Sequence, residues 1–238
     1  SSITIIPLGF YSYHQAKANL LYQEKQSIKE QIWQANTMLN NQLTQYQTVI
    51  SSLLYNNQIM QCLNTEEISY FEQYLMFENT LEPTIDSIIS SHSNIYLVKI
   101  YTDNETLKGH SKYLYPLENL SDYQKGNGRL PMVYKITDNR LAAVCQFPPG
   151  GKNLTNILYI EFRVFDTLGL MLKDGARLIL SDAEGVPVYA SAGTEEFAGY
   201  EAAGTFDKIT LQGISYYLFV NEIPETKWRS FCFVPISN

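Results

Sequence analysis

The residues best placed to do chemistry are Tyr113, Tyr115, Tyr123, Arg129 and Tyr134, which crowd one stretch of the chain. Aromatic walls with one or two charges suit a small polar ligand, and irregular chain held on a rigid sheet is a common place for such a site. The bland alternative is that these tyrosines fill the gap between a loop and a sheet, with their hydroxyls in water. Catalytic groupings are missing: there is no G-x-S-x-G, H-E-x-x-H, phosphate-cradling glycine loop or C-x-x-C. His14, His92 and His110 are isolated. Glu66-Glu67 and Glu195-Glu196 suit a helix start and a solvated loop better than an acid/base pair. A secreted hydrolase would need a clustered nucleophile and base, and none is visible. Cys62, Cys145 and Cys232 are odd in number and far apart, as buried small hydrophobes would be, with a single bridge as the alternative. No Cys or His pair has metal-ligand spacing, so neither a metal nor a cofactor is expected. Asn104, Asn119 and Asn153 begin glycosylation sequons, which matter only in a eukaryotic source.

Composition narrows the class. A net charge of −7 and an isoelectric point near 5.0 argue against nucleic acid, which is bound by neutralising phosphates with Lys and Arg. Hydrophobic residues make up 45% of the chain, enough to fill real cores. No stretch approaches the roughly 20 apolar residues that span a bilayer. Residues 3–10 form an uncharged apolar stub, expected to be the end of a membrane-spanning helix whose remainder precedes the chain.

The elements that must carry the tyrosines follow from punctuation. No glycine or proline occurs from Phe10 to Glu82, and all the glycines but Gly9 lie after residue 108. The first third is thus built for long helices and the remainder for β-structure. Ile28, Ile32, Ala35, Leu39, Tyr46, Val49 and Leu53 step by helical spacing, interrupted by Gln42. A continuous helix over 11–64 would reach roughly 80 Å, so it must lie along a head, pair with a second copy, or both. Asn64-Thr-Glu-Glu67 offers a cap for a second helix to about residue 90, carrying Ile68, Phe71, Leu75, Leu81, Ile85 and Ile88 or Ile89, bent or divided at Pro83. Strands are expected at 94–101, 131–136, 140–147 and 157–164, with an extended piece at 111–115 and a short helix at 166–172. A second, smaller unit holds strands at 176–181, 186–190, 206–211, 214–221 and 228–234, with hairpin turns at 182–185 and at Gln212-Gly213. The fold class is α+β, with one antiparallel sheet in each of two modules.

Four pieces in this order carry a resemblance. Ile5-Ile-Pro-Leu-Gly-Phe-Tyr-Ser-Tyr13 is similar to a first transmembrane helix running into a signalling helix. Ile157-Leu-Tyr-Ile-Glu-Phe-Arg-Val-Phe-Asp166 resembles the strand that leaves a membrane-distal module and ends in Asp. Residues 176–189 resemble the hairpin that opens a membrane-proximal module, and Lys227-Trp-Arg-Ser-Phe-Cys-Phe-Val-Pro235 its last strand. Together they resemble the double-Cache extracytoplasmic sensor domains of bacterial membrane receptors, most closely those of two-component sensor histidine kinases. The resemblance implies PAS-like modules at 65–166 (distal) and 167–238 (proximal) after a signalling and dimerisation helix at 11–64. It implies a cell-membrane receptor with flanking transmembrane helices outside this chain, a homodimer through the long helix, and a small-molecule ligand or solute-binding protein as partner. It also implies a kinase output, with no enzyme activity in this fragment. Asp166 matches the family's pocket Asp and joins the tyrosines and Arg129 as a candidate ligand-binding residue. Family members that bind amino acids carry a Trp-Tyr block after the Arg, which Asp122-Tyr-Gln-Lys-Gly-Asn-Gly-Arg129 lacks. A sugar, an organic acid or no small ligand at all thus stay open. A chemoreceptor or cyclic-dinucleotide enzyme could carry the same head, and a coiled-coil stalk with a β head is the non-sensing alternative.

Overall fold

A computed structural model describes residues 5–107, 111–121, 132–137, 140–146, 155–163, 175–191, 193–194, 197, 204–224 and 226–236. It opens with α1 (Ile5–Leu54), 50 residues long and so about 75 Å from end to end. Ile28, Ile32, Ala35, Leu39, Leu43, Tyr46, Val49 and Leu53 are its buried stripe. Leu43 fills the step that Gln42 interrupts in the sequence pattern, so the stripe is unbroken. The expected helix to residue 64 is, however, two helices. Asn56 adopts an extended conformation and its side chain accepts from the amides of Gln58 and Ile59, capping α2 (Asn57–Leu63). A cap that satisfies two otherwise orphan donors turns the chain without any glycine or proline.

The next helix does not start at Asn64 either. Asn104 donates its side-chain amide to the carbonyls of Leu63 (2.8 Å) and Thr65 (3.0 Å), holding this connection in place. Buried there, Asn104 cannot serve as a glycan acceptor. Glu67 takes a left-handed φ of 53°, and the helical cap falls on Ser69. The Ser69 hydroxyl accepts from the Glu72 amide, while the Glu72 carboxylate accepts from the Ser69 amide, a reciprocal capping box. α3 (Tyr70–Met76) passes through a single π-turn (Phe77–Leu81) into α4 (Glu82–Ser90). Pro83 directly follows the π-turn, in which the Glu82 amide bonds the Phe77 carbonyl and the chain keeps helical dihedrals, so the helix runs on past the proline.

Ten strands follow: β1 (Ile95–Thr102), β2 (Leu114–Pro116), β3 (Met132–Thr137), β4 (Arg140–Gln146), β5 (Asn156–Arg163), β6 (Arg177–Ser181), β7 (Pro187–Ala190), β8 (Phe206–Leu211), β9 (Ile214–Ile223) and β10 (Trp228–Pro235). They make two five-stranded sheets of the same topology, β2-β1-β5-β4-β3 and β7-β6-β10-β9-β8. All pairs are antiparallel except β1 with β2, which run parallel. Gln212 and Gly213 both have positive φ, as a two-residue hairpin turn between β8 and β9 requires.

One face of each sheet is laid on α1. Ser230 on β10 donates to the Asn36 side-chain oxygen at 2.5 Å, and Lys25 stands 4.2 Å from the Phe206 ring centroid on β8. Further along the rod, Tyr46 stacks on Phe162 of β5 with centroids 4.2 Å apart, and its hydroxyl donates to the Arg163 carbonyl at 2.7 Å. A single continuous core therefore runs from α1 through both sheets. α4 adds a second contact: Lys112 and the Tyr113 hydroxyl both donate to the Asp86 carboxylate, and Glu82 accepts from the Lys112 amide.

Those two donors hold the Asp86 carboxyl below its ordinary value of 3.8, the hydrogen bond from Lys112 first and that from Tyr113 second. The folded protein binds its proton more weakly than the unfolded chain. The resulting stability is complete above the ordinary value and is lost as pH falls through the depressed one. Urea unfolding of Asp86→Asn should show a lower midpoint at pH 7 and a flatter decline below pH ~4 than the parent.

Candidate functional site

The opposite, outward faces of the two sheets differ in chemistry although their topology is the same. On the second sheet the outer face is Ile179, Phe197, Ile209, Tyr216, Leu218, Val220 and Phe233, an apolar cluster. On the first, alternation along the strands brings Tyr101 and Lys99 from β1, Tyr115 from β2, Tyr134 from β3, Ala142 and Val144 from β4, and Tyr159 and Glu161 from β5 to one face. The registers set them in rows. Tyr115, Tyr101 and Ile157 lie side by side, then Lys99, Tyr159 and Val144, then Leu97, Glu161, Ala142 and Tyr134. Leu117 and Leu120 pack onto this face from beyond β2.

Glu161 is the anomaly. It is 7% exposed, the only charged residue in the buried run Asn156–Phe162 of its strand. Burying a carboxylate is costly unless it is paired and hydrogen-bonded. Here Arg140 reaches one oxygen at 3.0 Å, and the buried Tyr159 hydroxyl donates to the other at 2.6 Å. Arg140 in turn lies over the Tyr96 ring, 4.3 Å from its centroid. Lys99 stands 5.0 Å from the Tyr115 ring centroid, and Tyr115 lies 5.7 Å from Tyr101. The face thus offers phenols, one fixed carboxylate and two cations over apolar flooring, the composition of a site that orients a small polar molecule.

Among the candidates taken from the sequence, Tyr115 and Tyr134 lie on this face but on its two opposite edge strands, Tyr134 in the row of Glu161 and Tyr115 two rows away. Tyr113 does not join them. β2 begins only at Leu114, the Tyr113 amide donates to the Ser111 hydroxyl, and the Tyr113 phenol points to Asp86 on α4. Burial first, and the Asp86 carboxylate second, push that phenol up to about 12, as befits a strut between sheet and helix. Tyr123, Arg129 and Asp166 lie outside the described residues, as does the short helix expected at 166–172. Glu161, Arg140, Tyr159, Tyr101 and Lys99 were not singled out from the sequence. A signal for Glu161 was present, since a carboxylate in the middle of Ile157-Leu-Tyr-Ile-Glu-Phe-Arg is an exception that a buried strand must accommodate.

Among the described residues no group of His, Cys, Asp or Glu could hold a metal ion, and no described helix is long and apolar enough to cross a membrane. A concavity along α1 is lined by Thr44, Gln47, Thr48, Ser51, Ser52 and Tyr55. These come from one side of one helix and its end, which cannot enclose a ligand. The three cysteines are free and buried. Desolvation raises the Cys62 thiol, and takes Cys145 to about 11 and Cys232 to about 12. At pH 8 a thiol reagent such as dithionitrobenzoate should label none of them in native protein and all three after denaturation.

No family model and no curated protein matches the sequence. Solved structures do. The extracellular domain of the putative histidine kinase vpHK1S-Z8 is 11% identical over 90% of this chain and 92% of its own, with a TM-score of 0.56. The sensory domain of the Campylobacter jejuni chemoreceptor Tlp3, solved with isoleucine bound, is 11% identical over 90% of this chain and 93% of its own, with a TM-score of 0.51. An extracellular ligand binding receptor from Desulfohalobium retbaense is 10% identical over 87% of this chain, which spans only 40% of that receptor, with a TM-score of 0.43. The chain therefore has the double-Cache fold, a long helix backing two PAS-like sheets. At such identities fold is what is shared.

Proposed function

We propose that this chain is the extracytoplasmic ligand-sensing domain of a membrane receptor, with its small-molecule site on the outer face of the first sheet. The observation that carries the proposal is the contrast between two sheets of one topology. The second covers its outer face with apolar and aromatic side chains, whereas the first buries Glu161 and Tyr159 there, with Arg140 and Tyr134 half-buried beside them. On this reading the first sheet belongs to a distal module over 65–166 and the second to a proximal module over 167–238. Tyr123, Arg129 and Asp166 complete the site.

The rod is the output. From Gly9 to Gln23 every residue of α1 is exposed, Phe10, Tyr11, Leu20 and Tyr22 among them. A helix that projects bare from both sheets with such side chains is suited to pair with a second copy and to run on into a membrane-spanning segment. β5 joins site to rod, because Glu161 faces the ligand while its neighbours Phe162 and Arg163 hold Tyr46. Shifts of about 1–2 Å at such an interface are a known switching mode, and a coupling of about 1–3 kcal/mol would suffice. A histidine kinase is the favoured output, supported by the likeness to vpHK1S-Z8. A chemoreceptor is the second reading, supported by the likeness to Tlp3. The gene sequence beyond Asn238 separates them.

A thermal-shift screen against amino acids, sugars and organic acids tests the proposal. A true ligand at 100 times its dissociation constant stabilises by about 2.7 kcal/mol, or about 5–10 °C in a domain of this size. The shift should vanish in Tyr134→Ala and Tyr159→Phe, which lie beside the Glu161–Arg140 pair, and persist in Tyr216→Phe on the second sheet. A shift that survives both tyrosine variants would mean that the ligand binds elsewhere.

A further inference from the structure

α3 is inside out. Its inward position is taken by a glutamine: Gln73 is 4% exposed and donates to the Thr106 carbonyl. Its outward positions are apolar: Tyr70 is 74% exposed, Phe71 69%, Tyr74 55% and Leu75 40%. The i,i+4 pairs Tyr70–Tyr74 and Phe71–Leu75 make two adjacent stripes, on the order of 400 Å² of contiguous surface at about 150–250 Å² per aromatic ring. That is as large as the biggest patch on a typical monomer, which is often functional. The helix is not loose, for the Ser69–Glu72 box fixes its start and Gln73 pins its middle.

The charge along the chain on either side of it is one-sided. No Lys or Arg occurs between Lys29 and Lys99, whereas that stretch holds Glu30, Glu66, Glu67, Glu72, Glu78, Glu82 and Asp86. Glu67 precedes α3, Glu72 lies on it and Glu78 follows it, all exposed. A second copy of the same face would bring these carboxylates together, and an anionic lipid surface would repel them. The partner that fits is the complement, an apolar surface rimmed with Lys and Arg.

We infer that α3 is a docking surface for a soluble extracytoplasmic protein that presents a basic-rimmed apolar patch. The inference shares with the proposed function only the placement outside the membrane, and a metabolite screen that finds nothing leaves it standing. To test it, the photo-cross-linker benzoylphenylalanine is placed at position 71, and at exposed Val186 as control, in the full-length receptor in its native cells. The expected result is one adduct with a different protein at 71 and none at 186. That protein, purified, should bind the domain about tenfold more weakly after Phe71→Ser/Tyr74→Ser. Glu67→Gln/Glu78→Gln should remove most of the weakening seen on going from about 50 to about 300 mM salt. Both double variants should melt with the parent, since every substituted side chain is exposed. An adduct with lipid or with another copy of the receptor overturns the inference. So does no adduct at 71, or a purified partner that binds the apolar variant undiminished.

Discussion

Arg140→Ala should cost about 2–3 kcal/mol of stability, although Arg140 sits near the surface. Its loss strands the Glu161 carboxylate between Leu97 and Ala142 with Tyr159 as its donor. Breaking a buried pair by removing one member typically costs about 3–5 kcal/mol. The Arg140 side chain is 25% exposed, so water reaches the pair and the cost falls below that range. The double variant Arg140→Leu/Glu161→Leu should recover most of the loss, because hydrocarbon of similar volume replaces a buried ion pair at little or no cost. Urea unfolding of the parent, the single variant and the double variant checks this. If the double variant is as stable as the parent but binds no screened compound, the pair is retained for ligand and not for the fold.

Phe162→Ala is expected to have the larger effect, about 3–5 kcal/mol. Phe162 is buried at the junction of β5 with α1, stacked on Tyr46, and few changes could be worse placed for relaxation. Tyr46→Phe is the informative companion. It keeps the stack and removes only the hydrogen bond to the Arg163 carbonyl, so it should cost about 1 kcal/mol. If β5 is the link between site and rod, Tyr46→Phe should leave ligand affinity near that of the parent while weakening the output of the full-length receptor. Calorimetric melting of the three proteins, with signalling assayed for Tyr46→Phe, checks both effects.

Much of this architecture was legible in the residues, and the exceptions have physical reasons. The stripe from Ile28 to Leu53 names the buried side of α1 because a helix that long can satisfy its pattern in only one way. Strand alternation placed nine of the ten strands to within a residue or two, and the extended piece expected at 111–115 begins three residues ahead of β2. The break at Asn56 was missed because no glycine or proline marks it; its one signal was Asn56 itself, a residue type that caps helix starts. Ser69, not Asn64, starts α3, since the reciprocal bond from Glu72 outweighs a lone Asn cap. Phe71 and Leu75 have helical spacing and yet face water, for periodicity identifies a stripe without saying what lies against it. In the site, Tyr115 and Tyr134 could be singled out because aromatic density marks a region. The Glu161–Arg140 pair could not, because its members are distant in sequence and only the register of β4 against β5 joins them.

Hydrogen–deuterium exchange of the domain with and without the compound that raises its melting temperature most reads site and lever together. Protection should appear in 132–137 and 156–163 on the first sheet and in 43–49 of α1, the turns that carry Leu43, Tyr46 and Val49. Protection confined to the second sheet, or protection of the first sheet with the rod unchanged, would contradict a ligand site coupled to α1 through β5.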